Sequence, residues 1–228
     1  MQKKHQLFNT RTLTILAMMS ALAFLLAAFV RFPVIPAVPF LRYDPKDIVI
    51  VIAGFMFGPL AALIMTVVVA LVQMFTTSAT GVWGFVMNVI SGVAFACTAA
   101  FIYSKKRTMS GAVIGLVAGT VAMTVIMMLW NYIVTPTIMG WPRERVVDIL
   151  VTGIMAFNLF NGVVNSAFAM LLYKPVVIGL QKTGLLPSQP KKDGEKRKVF
   201  SPALIGVSLF VLLTAVLWYL AIQGVIGS

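Results

Sequence analysis

Three asparagines, Asn158, Asn161 and Asn165, interrupt the apolar stretch FNLFNGVVNSAFAMLL, part of a run long enough to cross a bilayer. Spaced by three and then four residues, they stack on one face of a helix. A carboxamide in hydrocarbon is costly unless partnered, so such a stripe faces a bundle interior or a wet cavity. Each amide can donate and accept, which suits a neutral ligand with mixed hydrogen-bonding edges. Further amides, Gln73, Asn88 and Asn131, lie on other apolar runs, and Phe40, Tyr43, Trp83 and Trp130 offer flat faces for a ring. Any one of these amides could equally bond a neighbouring helix. The functional reading therefore rests on convergence from several helices.

Other chemistries find no constellation. His5 and Cys97 stand alone of their kinds, which excludes a His/Cys metal cluster and an internal disulfide. The acids fall in loops or in a polar linker, so no catalytic set assembles at membrane depth, and no intramembrane charge offers ion coupling. Asp44 and Asp47 read as loop-ordering or capping groups, with Asp47 a candidate N-cap. No G-x-x-x-x-G-K-[ST] string is present to bind ATP.

The elements that must position these residues follow from composition. Of 228 residues, 60% are hydrophobic and 11% charged, too little charge for the surface of a soluble domain; the class is all-α, polytopic membrane protein. Net charge is +12, but the basic residues flank apolar runs, which points to lipid headgroups and topology and not to nucleic acid. The first run, about 12–30, reads as a retained helix and not a signal peptide. Its Ala17, Ala21, Ala23, Ala27 and Ala28 would let another helix approach, within the chain or from a partner subunit. Prolines at 33, 36, 39 and 45 make RFPVIPAVPFLRYDPKD an extended, apolar loop suited to a lid or wall. Further runs follow at 48–57, 60–75, 84–103, 111–134 (ended by Pro136), 147–177 and 204–222, giving seven expected crossings.

Sidedness can be counted. With the N-terminus inside, 13 of the 18 basic residues fall inside and 5 outside, in agreement with the positive-inside rule. The count requires 48–57 to be a real crossing and puts the C-terminus outside. At about 1.5 Å per residue, Gln73, Asn88, Asn131, Asn158 and Asn161 then all lie within roughly 20 Å of the outer surface. Arg42, Lys46, Arg143 and Arg145 become external loop charges, able to greet a phosphate or simply solvated. An outward-facing pocket with apolar walls and a few fixed polar groups is expected.

The strings MMSALAFLL, LRYDPKDI, FGPLAAL, MNVISGVAF, WNYIV and ILVTGIMAFNLFNG, in that order across about residues 10–178, resemble the substrate-binding membrane subunits (S components) of energy-coupling-factor (ECF) vitamin transporters, in particular the riboflavin-binding members. The resemblance implies a six-helix bundle in a bacterial cell membrane that takes riboflavin from outside under the first loop, without a resident cofactor. It implies docking, through Ala17 and Ala21, to a transmembrane coupling subunit paired with two cytoplasmic ATPases. The flavin-contacting set it implies, together with the depth reading, is Phe40, Leu41, Tyr43, Trp83, Gly84, Asn88, Asn131, Asn158 and Asn161. Similar riboflavin binders carry a lysine at the position of Asn161, so one polar contact differs here. The expected organisation is a binding domain over 1–180, a basic cytoplasmic linker over 181–200 and an additional transmembrane helix over 201–228.

Overall fold

The structure is a computed structural model, and it describes residues 9–36, 38–78, 80–186 and 202–224. Lys3, Lys4, His5 and most of the expected linker lie outside the described residues. Seven helices follow in order: α1 (Thr10–Phe29), α2 (Lys46–Phe57), α3 (Pro59–Thr76), α4 (Gly81–Lys105), α5 (Met109–Met139), α6 (Arg143–Lys182) and α7 (Pro202–Ile222). Helices are the expected outcome in an apolar solvent, because each satisfies its own backbone hydrogen bonds. The loop between α1 and α2 carries the smallest of sheets, β1 (Phe32–Pro33) antiparallel to β2 (Arg42–Tyr43), with Phe32 opposite Tyr43.

The run at 48–57, expected to cross on its own, is a helix too short to do so. Among the described residues, six helices are long and apolar enough to span a membrane, and α2 is not among them. Its 12 residues reach about 18 Å, well short of a hydrocarbon core of about 30 Å. It tolerates this because α1, α3, α4 and α6 pack around it, and nearly every one of its residues is buried. The rest of the depth is taken by the preceding loop, whose Val34, Ile35, Val38 and Leu41 are all core residues.

Pro136 does not end its helix as expected. Helix α5 continues through it to Met139 and stops at Gly140, whose φ of 63° suits only a left-handed cap. Both α4 and α6 contain a π-helical segment, Val93–Cys97 and Leu150–Met155, each adding a residue to one turn. The α4–α5 contact is close enough that a Cβ at Gly119 would sit 2.5 Å from the Phe95 carbonyl oxygen, and one at Gly115 2.7 Å from that of Ala99. Small residues at such spacing let apolar helices associate by van der Waals packing. Helix α7 stands at the periphery, packed on α6.

Candidate functional site

Two clusters of polar groups meet where the first loop folds onto the bundle. One is a cavity of about 200 Å³ between that loop, the α3–α4 turn and the C-terminal half of α5. The loop contributes Arg31, Pro39, Phe40 and Arg42; the turn and α4 contribute Thr77, Ser78, Thr80, Trp83, Gly84, Met87 and Asn88; α5 contributes Trp130, Asn131, Thr135, Ile138 and Met139. Larger voids exist, one of about 550 Å³ along α1, α2 and α6, but its lining is almost wholly apolar and it reads as a lipid- or partner-facing groove. Polar and aromatic groups converge in the smaller cavity, which is the candidate site.

Its amides are held before any ligand arrives. Asn131 donates from Nδ2 to the Met127 carbonyl (2.8 Å) and accepts from the Thr135 hydroxyl (2.9 Å), a ladder along one face of α5. Asn88 accepts from the Lys46 ammonium at 3.3 Å. Arg31 donates to the Thr77 carbonyl at 3.4 Å, while its Nε is buried with no partner among the described residues.

Beside the cavity lies a buried ionic cluster that takes in Lys46, one of the four expected external loop charges; Arg42, Arg143 and Arg145 are exposed. Lys46 is 3% exposed and pairs with Asp44, itself 5% exposed, at 2.7 Å between Nζ and Oδ2. Gln73 donates to the same carboxylate oxygen at 2.9 Å, and the Lys46 backbone N–H donates to Oδ1 at 3.1 Å. Burial alone would raise the Asp44 carboxyl; the charge of Lys46 and these hydrogen bonds outweigh it and hold the group below its ordinary value. Asp44 is thus the residue that orders the start of α2. Asp47 does not cap that helix: the N-cap is Pro45, and Asp47 sits inside the first turn. It is 2% exposed, with Oδ1 unpartnered among the described residues, and faces Gly92 together with the equally unpartnered Thr66 hydroxyl. The expectation of no charged group within the bundle is therefore overturned by Lys46 and Asp47.

The sequence-derived site residues divide. Phe40, Trp83, Gly84, Asn88 and Asn131 line the cavity together. Leu41, Tyr43, Asn158 and Asn161 do not. Leu41 packs in the core beneath the loop. Tyr43 donates its hydroxyl to Asn165 at 2.9 Å, and Asn165 donates in turn to Asn161 at 3.1 Å, so two of the three stripe asparagines tie β2 to α6. Asn158, 2% exposed, donates to the Ile154 carbonyl of its own helix. Arg31, Met87, Thr135 and the Thr77–Thr80 turn were not singled out from sequence. The signal for Thr135 was there: it stands one turn after Asn131.

On α1 the small residues separate by face. Ala23 and Ala27 are fully buried, while Ala17 and Ala21 are exposed. At about 100° per residue the centres of the two pairs lie roughly 120° apart around the helix. Arg143 and Arg145 lie over the rings of Tyr132 and Trp141 at 5.2 and 4.0 Å, away from the cavity.

The family described as ECF transporter, substrate-specific component, matches residues 11–173. The riboflavin transporter RibU of Staphylococcus aureus (strain TCH60) is 33% identical over 172 residues, 73% of this chain and 89% of that protein. The riboflavin transporter FmnP of Bacillus subtilis (strain 168) is 30% identical over 175 residues, 72% of this chain and 91% of that protein. A solved structure described as the S component of a bacterial ECF transporter superposes with a TM-score of 0.66 at 34% identity, covering 76% of this chain and 98% of that one.

Proposed function

Because this chain belongs to the family of ECF transporter substrate-specific components, we propose that it captures riboflavin from outside the cell and passes it inward when docked to an energising module. The observation that carries the reading is the cavity, where Phe40, Trp83 and Trp130 surround the fixed amides of Asn88 and Asn131. A flavin has a flat tricyclic ring, a pyrimidine edge that donates and accepts, and a hydroxylated side chain. Aromatic walls take the ring, and amides and the Thr135 hydroxyl take the polar edges. Asn161 supports the wall of the site indirectly, through Asn165, which accepts from the Tyr43 hydroxyl of β2.

A void of about 200 Å³ is smaller than the roughly 300–1,000 Å³ of typical ligand pockets. Admission of a flavin requires the wall to yield, and the loop carrying Pro39, Phe40 and Arg42 is the segment held by the fewest helical hydrogen bonds. The positive-inside count holds if α2 and the loop before it together make the crossing that α2 is too short to make alone; every cavity-lining segment then falls on the external side, with the N-terminus cytoplasmic and the C-terminus outside. The exposed Ala17 and Ala21 offer a flat face to a transmembrane coupling subunit, which pairs with two cytoplasmic ATPases; the chain itself performs no catalysis. The proposed organisation is a binding domain over 1–180, a basic cytoplasmic linker over 181–200 and an added transmembrane helix over 201–228.

A second reading, a flavin carrying a phosphate, is favoured by one observation. Arg31 and Arg42 both line the cavity, and neither makes a salt bridge among the described residues. Titration of the purified chain with riboflavin, its phosphate ester and thiamine decides. Quenched flavin fluorescence with riboflavin and none with thiamine supports the first reading, tighter binding of the ester supports the second, and no flavin binding at all removes both.

A further inference from the structure

Helix α7 lies beyond the family match, which ends at residue 173. Most of its surface faces outward: only 11% of its apolar window is buried. Its N-terminal half packs through Ser208, which is buried, and its C-terminal end reaches the first loop. Trp218 stacks on Phe160 of α6, with ring centroids 5.3 Å apart and 26° between planes. One residue on, Tyr219 meets Phe32 of β1 edge-to-face at 5.7 Å, and Phe32 in turn packs on Tyr43 across the strand pair at 5.4 Å. Gln223, just past the helix, donates from Nε2 to the Val34 carbonyl at 3.2 Å. A loop carbonyl with no helical N–H to donate to it needs another donor at this depth, and Gln223 supplies one.

The loop so gripped is the cavity wall. Phe32 and Val34 are held by α7 while Pro39, Phe40 and Arg42, a few residues further along the same ribbon, face the cavity. Widening the void moves this ribbon, and the motion must break the Tyr219 and Gln223 contacts or drag α7 with it. We propose that the added C-terminal helix is a latch on the substrate loop, in which Tyr219 and Gln223 are positioning residues that slow ligand entry and release. The latch is a property of the loop; its consequence for riboflavin exchange rests on the function proposed above.

The test uses the full chain in lipid nanodiscs. With Cys97→Ser removing the native thiol, Ile35→Cys places a reporter in the buried loop (Ile35 is 5% exposed), which a water-soluble maleimide reaches only when the loop lifts. Without ligand, Tyr219→Ala with Gln223→Ala is expected to speed labelling about tenfold, the weight of one ring pair and one hydrogen bond together. In the native-loop protein the same pair of substitutions speeds riboflavin dissociation by a similar factor. Tyr219→Phe keeps the ring contact and restores slow rates, and Phe210→Ala on the exposed face of α7 changes nothing. If the double variant does not fold, Gln223→Ala alone, which removes a single hydrogen bond, must still accelerate labelling by a few fold. Unchanged labelling overturns the latch, as does faster labelling with unaltered dissociation of bound riboflavin. Faster labelling in a protein that never binds riboflavin upholds the latch and overturns the transport reading instead.

Discussion

Substituting Lys46 by methionine tests whether the buried ion pair organises the loop that walls the cavity. Methionine matches the aliphatic stem but leaves Asp44 facing a hydrogen bond from Gln73 and no cation, with Asp47 nearby. Breaking one partner of a buried pair costs about 3–5 kcal/mol, because the other charge stays desolvated. In a chain of this size each kcal/mol moves the unfolding midpoint by roughly 2–4 °C, so Lys46→Met is expected to lower it by on the order of 10 °C. Adding Asp44→Asn removes the stranded charge and should recover more than half of that loss, a coupling of at least about 1.5 kcal/mol in a double-mutant cycle. Tryptophan fluorescence during thermal unfolding in detergent reads both quantities. The pH dependence has a definite sign. The folded-state Asp44 carboxyl lies below its unfolded value of about 4, so its contribution is complete above that value and disappears as pH falls through the folded-state value. The stability that the Asp44 carboxylate contributes relative to Asp44→Asn should shrink as pH falls below about 4. A neutral Lys46→Met, or additive single and double variants, would show that the ammonium is hydrated and that the pair does not order the loop.

Asn131→Ala removes a cavity amide and strands the Thr135 hydroxyl; riboflavin affinity should fall about 10- to 100-fold by fluorescence quenching, with the fold retained by circular dichroism. Gly119→Leu forces a side chain into the Phe95 carbonyl, so the α4–α5 contact must open, costing about 1–3 kcal/mol or more in thermal unfolding. Ala17→Trp on the exposed face of α1 should leave riboflavin binding unchanged by titration yet abolish uptake into cells; uptake at the wild-type rate would remove that face from the docking surface. Trp83→Ala, half exposed at the cavity rim, should weaken riboflavin less than Asn131→Ala, because a ring open to solvent contributes less burial.

Read as a line of residues, this chain already specified its solvent, its helices and the end of the bundle where amides and aromatic rings gather. Those follow from local quantities: apolar run length, proline density and the placement of lysine and arginine along the chain. Axial position is set by counting residues, so Asn88, Asn131, Trp83 and Phe40 could be brought to one depth without coordinates. Azimuth is not set in this way. The π-helical turn at Leu150–Met155 adds a residue just before Asn158, rotating the stripe by about 100° relative to a regular helix, and Asn165 ends up bonded to both Asn161 and Tyr43. Nor does a sequence say which short helix is surrounded by others. Only tertiary packing decided that α2 needs no full crossing, that Lys46 is a buried partner of Asp44, and that a helix beyond the family's own limits closes on the loop. Each of these depends on which neighbours exclude lipid and water from a given face, a property that no single segment possesses.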